Sequence, residues 1–237
     1  MMHAFGNTRS ASYHDHILHT PDTFVRAPLP GMRNATAVVH ATPAMGARFI
    51  WYTAEFEPGG VVPMTQHQRF IFVLEGEIET HRFEVHAGEY AWFPPAVKLE
   101  LRAAGQARVA VIEKPYQPLA GFELGAPFRG RESDVAASPL AGDSAVEVRS
   151  LIPSSLAFDL AVNTMTFQPG ATLPMVEMHV MEHGLVMLSG AGIYRLGDKW
   201  YPVAEGDFIW MAPHLPQWFG ALGKTPTKYL IYKDWNR

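Results

Sequence analysis

The chain has 237 residues, 19 basic and 23 acidic, a net charge of −4, 48% hydrophobic and 12% aromatic content, and no cysteine. Disorder is excluded by that apolar content, and wholesale binding to nucleic acid or an anionic membrane by the lack of any basic run. Disulfides, thiolate metal sites and thiol catalysis are excluded too, which leaves His, Asp, Glu and Gln as possible ligands. No stretch reaches the ~18 apolar residues of a spanning helix. The first nineteen residues, MMHAFGNTRSASYHDHILH, show neither the apolar core of a signal peptide nor the Arg-rich bias of a transit peptide, so a cytoplasmic protein is expected.

In chain order, residues 1–40 read as an irregular arm broken by Pro21, Pro28, Pro30 and Gly31. Strand composition, rich in β-branched and aromatic residues, then appears at 48–56, 69–76, 77–85 and 90–95. It returns at 160–167, 185–190, 192–197 and 228–233. No window of eleven residues shows helical periodicity. Many short strands with Gly and Pro turns predict an all-β sandwich or barrel.

An internal repeat organises these strands. Glu57-Pro58-Gly59 matches Gln168-Pro169-Gly170, and Leu74-Glu75-Gly76 matches Leu188-Ser189-Gly190. The run from Val85 to Trp92 matches that from Val203 to Trp210, Pro95 matches Pro213, and Glu113-Lys114 matches Tyr232-Lys233. The order of landmarks is kept while the offset drifts from 111 to 119. The boundaries expected are an arm over 1–40, a first module over 41–120, a linker over 121–145 and a second module over 146–237. The spacing within each copy resembles the cupin fold. Two copies resemble a bicupin, a pair of tandem double-stranded β-helix (jelly-roll) barrels.

The second copy contains Glu177-Met178-His179-Val180-Met181-Glu182-His183. On an extended strand, residues of equal parity share a face, so Glu177, His179 and His183 are expected to point into the barrel. Gln217 follows where cupins often carry a later His, with His214 as its competitor for the fourth position. One carboxylate, two imidazoles and an amide oxygen suit a divalent ion such as Mn²⁺ or Fe²⁺. Such a site lies near +1 and favours an anionic substrate. Glu182, out of parity, reads as a supporting or surface carboxylate.

The same positions in the first copy hold Pro63, Thr65 and Arg69 on sliding back 114, or Gln66, Gln68 and Phe72 on sliding back 111; Leu99 stands in place of Gln217, and His67 is the only imidazole nearby. The first copy is therefore expected to have lost its metal. His14, His16 and His19 beside Asp15 read as a solvated or packed tail rather than a metal site. Tyr229, Ile231 and Lys233 share one face of the last strand, and Tyr194 lies on the strand after Gly190. Lining the barrel, two phenols and an ammonium would grip a carboxylate and a ureido or amide group. Composition alone favours ordinary half-buried strand aromatics and a surface lysine.

The phrases Phe24 to Gly31, Pro43 to Phe49, Glu177 to Gly184 and Tyr232 to Arg237 resemble the (S)-ureidoglycine aminohydrolase family, bicupins of allantoin degradation. The resemblance implies a Mn²⁺-dependent hydrolysis that releases ammonia from (S)-ureidoglycine and leaves (S)-ureidoglycolate. It puts the metal ligands on Glu177, His179, His183 and Gln217, and the substrate contacts on Tyr194, Tyr229 and Lys233. Glu177 is expected to touch the substrate amine as well and to assist proton transfer, so that Glu177 and Lys233 carry the chemistry. The sequence departs from the family at Met178, where Thr is usual. Against this stand two other readings: a cupin dioxygenase using Fe²⁺ or Ni²⁺, and a non-catalytic cupin that binds a small anion. A homo-oligomer is expected in each case, with no nucleic-acid or membrane partner.

Overall fold

A computed structural model describes residues 7–95 and 97–235. Among the described residues there are strands, three short 3-10 turns and no α-helix. No helix is long and apolar enough to cross a membrane. The described chain divides into two compact units. One comprises Val25–Ala136 with Leu151–Asp159, and the other the residues up to Phe24, Ala137–Ser150 and those from Leu160 onward.

The N-terminal unit is a ten-stranded antiparallel sheet built around the long strand Ile50–Val62. That strand pairs with Ala107–Lys114 along its first half and with Leu101–Ala103 at its end. Between the two stretches lies Glu57-Pro58-Gly59, where Gly59 takes φ 74° and turns the sheet. Alternate residues Tyr52, Ala54 and Phe56 meet Ile71, Val73, Val109 and Val111 in the core.

The C-terminal unit stacks an eight-stranded and a three-stranded antiparallel sheet. The larger runs through Phe208–Met211, His183–Ser189, Thr227–Asp234, Leu160–Phe167 and Asp143–Ser150. The smaller is Lys199–Ala204, Ala191–Leu196 and Gln217–Leu222. Their facing sides enclose Met165, Phe167, Leu185, Tyr194, Phe219, Tyr229 and Ile231.

The repeat landmarks have a common backbone cause. The paired glycines Gly59 and Gly170, Gly76 and Gly190, and Gly88 and Gly206 all have positive φ. A second shared device is a buried indole: Trp92 Nε1 donates to Gln68 at 3.3 Å, and Trp210 Nε1 to Glu182 at 2.9 Å. Glu182 is thus a supporting carboxylate and not a surface one, at 1% exposure.

Three expectations are corrected. The arm over 1–40 is not irregular within its described residues, since Ala11–Ser12, His16–His19, Arg26–Ala27 and Arg33–Ala41 are strands; residues 1–6 lie outside the described ones. Ile17 and Leu18 are buried on a strand paired with Phe208–Met211, and Arg9 clamps both carboxylate oxygens of Asp207. Next, the linker over 121–145 carries strand Phe128–Arg131, paired with Glu89–Phe93, and strand Ser138–Leu140, paired with Asp143–Ser150. Last, the stretch 77–85 is two strands, because Thr80 accepts from the Phe83 N–H at 2.8 Å and closes a turn.

Gly190 sits at φ 77°, and a Cβ there would lie 2.5 Å from the Thr227 hydroxyl and 2.8 Å from its Cα. Gly223, at φ 101°, has open space around it. Gly190→Ala should therefore destabilise the protein by at least about 2 kcal/mol in urea unfolding, and Gly223→Ala by only about 1 kcal/mol. Equal effects would contradict the crowding.

Candidate active site

The segment after Gly170 runs antiparallel to the strand Gln217–Leu222, with Thr172 bridged to Gly220 and Glu177 to Gln217. Glu177 and Gln217 exchange both backbone hydrogen bonds at 2.8 Å, which sets their side chains next to each other. His179 then gives its carbonyl to the His214 N–H at 2.7 Å. The chain bends at Val180 and Met181 before His183 opens its strand. The extended strand expected over 177–183 is thus corrected. Glu177, His179 and His183 converge through a bridge and a bend, not through simple alternation.

His179 Nε2 lies 3.1 Å from Glu177 Oε2, and the rings of His179 and His183 are 4.8 Å apart. Nε2 of His183 is buried and has no hydrogen-bond partner among the described residues. Its other nitrogen is held by the Met181 carbonyl. Burial, and then the charge of Lys233 and His179, pushes the His183 imidazole down to about 3. The ring is therefore neutral, with a lone pair at Nε2 that no group among the described residues uses.

Gln217 is 4% exposed, and its Oε1 accepts from the Tyr194 hydroxyl at 3.0 Å. Burial, helped by Glu177, raises the Tyr194 phenol above its ordinary range, so it remains a neutral donor. A carbonyl oxygen has two lone pairs, so one is left to Gln217. His214 is exposed at φ 64° and serves through its backbone. Of the two candidates for the fourth position, Gln217 is the one placed against Glu177.

Lys233 is the register partner of His183. Its ammonium makes no ion pair among the described residues, and burial lowers its pKa against the opposing pull of Glu177. Tyr229 is buried with its hydroxyl on the Met165 sulfur at 3.3 Å. Tyr194 and Tyr229 both lie in the core, in ring contact with Phe219. Tyr194 therefore acts on Gln217, which the sequence pattern did not reveal. Met178 is 60% exposed and points away from the cluster. The expected packed tail at His16 is a buried ring with Nδ1 on Asp15 and Nε2 on the Tyr201 hydroxyl, both at 2.8 Å.

The first copy fills the same place with its own charge. Arg69 and Glu113 are register partners there, as His183 and Lys233 are in the second copy, so the expected match of Lys114 with Lys233 is corrected by one residue: Glu113 stands in the place of Lys233. The Arg69 guanidinium bonds Glu113 at 2.9 Å, the Pro63 carbonyl at 2.8 Å and the Leu99 carbonyl at 3.5 Å. Pro63 and Leu99 hold the positions of Glu177 and Gln217.

Among the described residues no three His, Asp or Glu side chains form a group that could hold a metal by themselves. In the second copy the fourth donor is an amide, and His179 is bonded to Glu177. The buried, unpartnered Nε2 of His183 nevertheless fits a divalent ion, with Glu177, His179 and Gln217 as the neighbouring donors. The side chains of Glu177 and His179, 25% and 32% exposed, leave the cluster open on their side.

The protein is a bicupin. A cupin-domain family model matches residues 163–232. The chain is 40% identical to the (S)-ureidoglycine aminohydrolase of Arabidopsis thaliana, over 98% of this chain and 80% of that protein. Its identity to the Escherichia coli (S)-ureidoglycine aminohydrolase is 30%, over 93% and 88%. Among solved structures, a putative glyoxylate induced protein from Pseudomonas aeruginosa superposes with a TM-score of 0.89 at 29% identity, covering 100% of this chain and 94% of that one. Bacillus subtilis oxalate decarboxylase, at 10% identity and TM-score 0.72 over 96% and 78%, shares the fold. The chain belongs to the (S)-ureidoglycine aminohydrolase family.

Chelator-treated protein should take up one divalent ion per chain in calorimetric titration. Tyr194→Phe, which frees the Gln217 amide, should weaken that uptake about 10- to 100-fold. Tyr229→Phe should leave it unchanged. Wild-type uptake by Tyr194→Phe would contradict the role of Tyr194 in holding Gln217.

Proposed function

We propose that this protein hydrolyses (S)-ureidoglycine to (S)-ureidoglycolate and ammonia in allantoin breakdown, with Mn²⁺ held by Glu177, His179, His183 and Gln217. The observation that carries this reading is the pairing of an unpartnered imidazole nitrogen on His183 with the half-buried Lys233 across one strand register. The family relationship supplies the substrate. When bound, the ion supplies Lewis acidity and a second hold on an anionic substrate.

The substrate carries a carboxylate, an amine and a ureido group on one carbon. Lys233 takes the carboxylate, and the anion restores the charge pairing that burial denies the ammonium. Glu177, partly exposed at the open side, faces the amine. In the overall reaction the carbon–nitrogen bond to the amine breaks and a bond to water oxygen forms. Glu177 receives the water proton and delivers it to the departing ammonia. Lys233 and Glu177 on different elements fix two substituents of the carbon, so a single handedness fits.

Glu177→Gln should lower kcat about 10²- to 10⁴-fold, with the ion still bound. Lys233→Met should raise KM about 10- to 100-fold by removing a charged hydrogen bond. Wild-type substrate affinity should fall as pH rises through the Lys233 pKa, which lies below the ordinary lysine range because the charged form is the buried one. That limb should be absent from Lys233→Met. Near-wild-type turnover by ion-loaded Glu177→Gln would overturn the proton-transfer role.

A further inference from the structure

The strand Leu160–Phe167 pairs with Thr227–Asp234 in unbroken register: Ala161 faces Lys233, Asn163 faces Ile231 and Met165 faces Tyr229. Met165, Phe167, Tyr229 and Ile231 all belong to the core of the C-terminal unit. Opposed residues of an antiparallel pair share a face, and so do alternate residues along a strand. Asn163 and Lys233 therefore face the same interior. The neighbouring strand extends that face, with His183 opposite Lys233 and Leu185 opposite Ile231. Asn163 thus stands in a row with Leu185 and Ile231, one row inward from His183, Lys233 and Ala161. It is half-buried, and among the described residues its side-chain amide makes no hydrogen bond. Its partner on the other neighbouring strand is Ser150, and a half-buried amide without a hydrogen bond is open to a polar group from outside the protein.

The other copy shows how far a side chain reaches from this position. Tyr52 lies two residues beyond Ile50, the register partner of Glu113, as Asn163 lies two beyond Ala161, the partner of Lys233. The Tyr52 hydroxyl donates to Glu113 at 2.9 Å. A side chain at the Asn163 position is thus aimed toward whatever the group at the Lys233 position holds, and Asn163, shorter than Tyr52, leaves room there for a ligand.

We propose that Asn163 is a further substrate-positioning residue, which reads the ureido group while Lys233 holds the carboxylate. This deepens the function proposed above and rests on it. A carboxamide presents one carbonyl acceptor and one NH₂ donor, the complement of a ureido N–H and C=O. Asn163 lies between Ile231 on one strand and Ser150 on the other, and an acid lacking the ureido group gains nothing from its amide.

The test compares (S)-ureidoglycolate with glycolate, which lacks the ureido group, in calorimetric binding to ion-loaded protein. Wild type should prefer ureidoglycolate. Asn163→Ala and the near-isosteric Asn163→Leu should each cut that preference about 10- to 100-fold, with glycolate affinity and ion uptake unchanged. The leucine variant should melt no lower than wild type, because it packs beside Ile231 and removes an amide without a hydrogen bond, which separates recognition from folding. A preference retained in both variants, or a parallel loss of glycolate binding and ion uptake, would overturn the assignment. If wild type releases ammonia from ureidoglycine and the variants keep the preference, Asn163 alone is refuted. A wild type with neither ammonia release nor preference refutes the underlying function.

Discussion

Nε2 of His183 is enclosed by a protein that bonds to it nowhere among the described residues, while the Met181 carbonyl occupies the other ring nitrogen. Burial keeps the ring neutral, so the lone pair is present throughout the physiological pH range and only a Lewis acid or a donor from outside can use it. The local fold exists around this constraint. The bend at Val180 and Met181 swings His183 to the mouth of its strand, the backbone bridge sets Gln217 beside Glu177, and the register brings Lys233 alongside. Tyr194 then fixes the amide oxygen that completes the donor set.

The two copies resolve one backbone geometry in opposite ways. In the first, Arg69 brings its own cation into the ligand positions and satisfies it with Glu113 and two main-chain carbonyls. Tyr52 adds a third contact to the same carboxylate oxygen. A buried pair of this kind is internally complete, and removing one partner would strand the other. In the second copy, neutral His183 replaces the guanidinium and Lys233 replaces the carboxylate. That pair cannot satisfy itself; in the function proposed here it takes a cation at one end and an anion at the other.

Much of the fold was legible because the backbone demands it. The glycines that pair between copies are in left-handed turns where other residues are strained, so their spacing survives even where side chains have diverged. The strand at 160–167 was read with its observed limits, since its residues are strand-favouring throughout. The short strand His16–His19 was not legible, because four residues give no periodicity and their partners lie some 190 positions away, at Phe208–Met211. The bend at Val180 and Met181 was hidden for another reason: neither residue is a turn former, and the bend is held by contacts such as that between His179 and His214. Tyr194 was named from the sequence, but its action through Gln217 depends on pairing between distant strands, Leu196 opposite Gln217.

The central claim is that the unpartnered nitrogen of His183 and the ammonium of Lys233 frame one ion-dependent hydrolysis. The most direct measurement follows ammonia release from ureidoglycine generated in the assay, using chelator-treated protein before and after one equivalent of Mn²⁺, with the ureidoglycolate enantiomers resolved. The account predicts release at the spontaneous rate without the ion and far above it with the ion, giving (S)-ureidoglycolate alone. Release that ignores the ion, or a racemic product at the background rate when the ion is bound, would contradict it.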